Sequence, residues 1–119
     1  MVTPFELKII LWDGEQYIPE THKFFNEELV GKVFSFLVPT EDMPSITLSR
    51  GGKKLATKVA GIIEVTWKEQ HGELTRLKIH GVNKDSMESA EVFGRASYEA
   101  GADEVAIYCN GERVKTWRW

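Results

Sequence analysis

Cysteine is nearly absent from this chain: Cys109 is the only one in 119 residues. A single thiol excludes an intrachain disulfide and any multi-cysteine metal site, so a packed core must hold the fold. Long hydrophobic runs are missing too. The longest are four or five residues, far short of the roughly 20 needed to span a bilayer as a helix. Histidine is sparse, and His22, His71 and His80 fall in three separate stretches without metal-ligand spacing,. No metal and no cofactor is therefore expected. The opening MVTPFELK has no apolar run behind a basic start, which reads against a signal peptide and, with the lone thiol, for a cytoplasmic protein.

What remains is ordinary globular material, 42% hydrophobic and 28% charged, enough for one domain over 1–119 with its own core. The formal charge of -3 is unevenly distributed. Residues 1–42 carry three Lys/Arg against eight Asp/Glu, and residues 43–84 carry eight against three. Residues 85–112 carry one against seven, and the last seven residues are +3. Blocks of this kind permit a polyanionic partner without requiring one.

The stretch Leu74 to Trp119 is the most explicit. Its apolar spacing and punctuation give strand, helix, strand, tight turn, strand. Asp85 with Glu88 three residues on is a candidate capping box for a helix over 86–100, stopped at Gly101. Asn110-Gly111 is the strongest short hairpin signal in the chain. Upstream, Phe5 to Trp12 alternates as a strand closed by Asp13-Gly14. Residues 15–25 are interrupted by Pro19, Asn26 caps a single helical turn ended by Gly31, and Lys32 to Val38 reads as a buried strand. Ile46 to Leu48, Leu55 to Ala60 and Ile62 to Lys68 are further extended segments, with a loop of about five residues at 69–73. No internal repeat is visible. These elements predict an α+β fold. It would have a mainly antiparallel, curved or partly closed sheet of about six or seven strands, one principal helix (86–100) and a C-terminal β-hairpin.

Alternation across the strands assigns faces. With a two-residue turn at Asn110-Gly111, Ile107 pairs with Val114, and Val114 joins the helix side. Arg76, Lys78, His80, Tyr108, Arg113, Lys115, Trp117 and Trp119 are then left on the opposite face. That basic-aromatic face is the candidate binding surface. Its leading reading is a small non-catalytic interaction module, an assembly component or adaptor, whose partner is another protein or a second copy. A single-stranded nucleic acid, stacked on the rings with the cations along its backbone, is the alternative use. No membrane partner is indicated.

A weaker candidate is SRGGKK, where Arg50, Gly51, Gly52, Lys53, Lys54 and the nearby Lys58 gather positive charge around freed backbone amides. It would suit an enzyme or binder of a small phosphorylated or acidic ligand near residues 49–58. It lacks the spacing of a nucleotide-binding loop, so a lysine-rich hairpin tip is the simpler reading. Cys109 and His80, the one conceivable nucleophile–base pair, fall on opposite faces, and no residue is assigned a catalytic role.

Overall fold

A computed structural model describes residues 2–69 and 72–118 of the chain. They form eight strands and two helices in two compact units, residues 1–60 and 61–119. Each unit is a four-stranded antiparallel sheet, open rather than closed or curled, with one helix. The single curved sheet with one principal helix expected from the sequence is thus replaced by two smaller ones.

In the first unit β1 (Phe5–Trp12), β2 (Tyr17–Phe24), β3 (Ser45–Arg50) and β4 (Lys53–Val59) lie in the order β2-β1-β3-β4. Asp13 accepts from the amides of Glu15 and Gln16 at 2.8 Å each, which folds the β1–β2 turn. Pro19 does not break β2. The strand is at the sheet edge, where a residue without an N–H costs no ladder bond,.

The segment expected as a buried strand, Lys32 to Val38, is mostly helix: α1 spans Glu27–Phe36. Asn26 caps it, accepting from the Leu29 amide at 3.0 Å, and Glu27 and Glu28 suit the positive end of its dipole,. Val30, Val33, Phe34 and Leu37 recur at helical spacing, with Val30 buried and the others half-buried,. An apolar run of that length fits either period, and the cap decides it.

Lys58, opposite Ile46 on the sheet, reaches α1 and ties the two together. Its Nζ donates to the carbonyls of Phe34 (2.6 Å) and Leu37 (3.0 Å) and lies 4.7 Å from the Phe34 ring centroid. Phe5, Leu7, Val30 and Ile46 are buried in this unit.

In the second unit β5 (Ile62–Lys68), β6 (Leu74–His80), β7 (Glu104–Cys109) and β8 (Glu112–Arg118) lie in the order β6-β5-β7-β8. β6 and β7 run parallel, with β5 antiparallel between them, as the crossover through α2 (Lys84–Glu99) requires. The capping box is Asn83 with Ser86, not Asp85 with Glu88. Asn83 Oδ1 accepts from the Ser86 amide and Ser86 Oγ from the Asn83 amide, both at 2.9 Å. Asp85 sits in the first turn, where its charge suits the dipole,.

Ile63, Val65, Val105, Ile107 and Ala90 are fully buried, with Met87, Phe93, Trp67 and Trp117 packed against them. Asn110 and Gly111 both take positive φ (49° and 85°), the expected type I′ turn,. Asn110 Oδ1 also accepts from the Gly61 and Ile62 amides at 2.9 and 3.0 Å, fastening this hairpin to the start of β5.

The two units are wired identically: two strands, a helix, two strands, with the same sheet order. The registers correspond as well. Leu7 faces Leu48 where Val65 faces Ile107. Both final hairpins turn on two residues of positive φ, Gly51-Gly52 and Asn110-Gly111, and both carry a bulge, leaving Leu55 and Val114 without a partner in the ladder. Asparagine caps both helices. The repeat escapes a reading of the sequence because backbone pairing and alternation define it, and few side chains match.

Candidate functional site

The bulge between Ile107 and Tyr108 changes the face assignment. Ile107 pairs with Lys115 rather than Val114, so every residue after the bulge moves to the other side,. Lys115 and Trp117 therefore lie on the helix side. The Trp117 ring packs against the core there, and Lys115 Nζ is 4.9 Å from its centroid. Arg76, Lys78, His80, Tyr108 and Arg113 remain on the face away from the helix. Trp119 and His71 fall outside the described residues.

The centre of that far face is buried: Ile62, Glu64, Thr66, Ala106 and Tyr108. Glu64, only 1% exposed, forms an ion pair with Arg76. Arg113 donates to the Tyr108 hydroxyl at 3.0 Å, its guanidinium 5.5 Å from the ring centroid. Cations thus line the sides of the face, but among its described residues no aromatic ring is open to a base. Cys109 and His80 lie on opposite faces, as alternation requires. Partial burial, and then the nearby Glu112 carboxylate, push the Cys109 thiol upward, away from a reactive thiolate,.

At the other candidate, Gly51 and Gly52 have φ of 59° and 80° and form the turn itself. Arg50 donates to the Thr3 carbonyl at 3.1 Å and lies over the Phe5 ring at 4.6 Å. Lys58 is engaged at α1. Lys53 and Lys54 are the exposed cations left at this tip. Among the described residues, no metal-binding group of His, Cys, Asp or Glu is gathered, and no helix is long and apolar enough to cross a membrane.

The most exposed apolar surface lies elsewhere, on and around α1. Phe36 is 85% and Phe25 69% exposed, with Leu29 and Val38 also in the open. Leu29 and Phe36, seven residues apart, share a helix face with Lys32 and Glu28, which form an i,i+4 pair at 3.3 Å,. Glu27, Glu28, Gly31, Lys32, Ser35 and Phe36 line a shallow depression along this face.

α2 provides a comparison within the molecule. Its outer face carries Asp85, Glu88, Glu91, Arg95 and Glu99, with Val92 as its exposed large apolar residue. The repeated unit therefore does not need large aromatic residues on the outside of its helix. Reading Lys32 to Val38 as a strand hid this surface. The signal was present in Asn26 followed by Glu27-Glu28, a helix start with a longer helix behind it.

No protein-family model, curated protein or solved structure matches the chain.

Proposed function

We propose that the protein is a small non-catalytic interaction module, an assembly component or adaptor, and that it meets a protein partner through the outer face of α1. The observation that carries this is the contrast between equivalent helices: α1 exposes Leu29 and Phe36, with Phe25 and Val38 beside them, where α2 exposes mainly charge with Val92 in its midst and Val82 beside it. Large exposed aromatic side chains are a standing cost in water and a common source of contact energy when covered. The basic face around Arg76, Lys78 and Arg113 favours nucleic acid less, because Tyr108 is buried and Trp117 is turned to the helix. The tip at 49–58 favours a small anion less, because Arg50 and Lys58 are engaged internally.

Photo-crosslinking in the cells that make the protein tests the reading. A benzophenone amino acid in place of Phe36 is expected to yield protein adducts, and the same group in place of Val92 on α2 none. Absence of adducts from position 36 would overturn it.

A further inference from the structure

We infer that the partner at this face is a second copy of the same chain, joined as an antiparallel pair of α1 helices about a twofold axis. The inference rests on the interaction-module reading and names its partner. A twofold contact must be self-complementary, each residue meeting its counterpart twice. α1 has that property in one register. With the axis beside the Val30–Gly31 peptide, Phe36 at the end of one helix comes beside the Asn26-capped start of the other, just after Phe25 in the chain. Glu28 then comes within one residue, about 1.5 Å along the helix, of the partner's Lys32. Phe36, the most exposed ring of the face, is thus covered. The Glu28–Lys32 pair of each copy joins its counterpart in a ring of four alternating charges.

Gly31 is level with the axis and lines the depression beside it. Glycine is a poor residue in mid-helix, and nothing inside the fold explains it: a β-carbon there would meet no atom within 4 Å,. Gly94 of α2, by contrast, is required by Trp117. A bare backbone in that depression lets another helix approach closely. Antiparallel packing also sets the positive end of each helix dipole beside the negative end of its neighbour.

Sedimentation equilibrium on the full chain tests this. The wild type is expected to be a dimer at micromolar concentration, and Phe36→Lys a monomer with unchanged circular dichroism. Glu28→Lys and Lys32→Glu are each expected to dissociate several-fold more readily, since each puts four like charges around the axis. Mixed together, the two variants should recover association as a heterodimer, a rescue that a purely intrahelical Glu28–Lys32 pair would not give. A monomeric wild type, a dimeric Phe36→Lys, or no recovery on mixing would overturn the second copy as partner. A position-36 adduct with a different protein would do the same while leaving the interaction module in place. The absence of any adduct would remove both.

Discussion

Gly94 of α2 lies against the indole of Trp117: a β-carbon at position 94 would stand 2.7 Å from Cζ3 and 2.9 Å from Cη2 of that ring. Alanine is preferred to glycine in a helix by about 1 kcal/mol, but overpacking of this kind costs about 1–3 kcal/mol. Gly94→Ala is therefore expected to destabilise the protein by about 1 kcal/mol in urea unfolding. With Trp117→Leu in the background, the same substitution should become neutral or stabilising. A stabilising Gly94→Ala in the wild-type background would show that the indole yields freely.

The ion pair of Glu64 and Arg76 lies deep in the second sheet, with Glu64 buried and Arg76 largely so. Arg76→Leu deprives a buried carboxylate of its guanidinium, and removing one member of a buried pair costs about 3 kcal/mol or more. Adding Glu64→Leu should recover part of the loss, because the buried carboxylate is then gone as well. A denaturation midpoint for the double variant no higher than for Arg76→Leu alone would argue against this account.

Lys58 closes the C-terminal end of α1, whose last turn has no basic residue of its own. Lys58→Met keeps the stem near Phe34 and removes the charge and its hydrogen bonds. The expected loss is about 1–2 kcal/mol, with faster hydrogen exchange concentrated at the end of α1. Unchanged exchange there would mean that the carbonyls do not depend on the ammonium.

Asp13 links the first turn to pH. Amide donors, Gln16 first and then Glu15, hold its carboxyl below the ordinary value. A folded-state value below the unfolded one adds stability above the unfolded value, and that stability is lost as pH falls through the folded one. Thermal melts at descending pH should show a shallower acid-side decline for Asp13→Asn than for the wild type. Parallel declines would place the acid sensitivity in other carboxylates.

Much of the second unit was legible because local chemistry and tertiary pairing agree there. Asn110-Gly111 forms the turn its residues favour, and β5, α2 and β7 follow their apolar periods. The failures have separate physical causes. Lys32 to Val38 is apolar enough for either a strand or a helix, and a cap outside the segment chooses. Pro19 is tolerated because β2 lies at an edge, which depends on sheet order that no local pattern carries. The bulge at Val114 adds one residue to one strand, and that shift moved Trp117 from the proposed binding face to the core. Asn83 outcompeted Asp85 as the cap by standing one residue before the helix begins.

The duplicated wiring has a consequence for how the chain assembles. Tandem copies with matching registers offer each hairpin two plausible seats, and strand exchange between copies is a known hazard of such proteins. Lys58 and Trp117 fill the same pairing position, opposite Ile46 in one sheet and Val105 in the other. A β8 seated in the first sheet would bring an indole to helix carbonyls that need a cation. A β4 seated in the second would set an ammonium against Val105 and leave the space beside Gly94 unfilled. One lysine and one tryptophan at a shared address thus make each hairpin a poorer fit in the other's sheet.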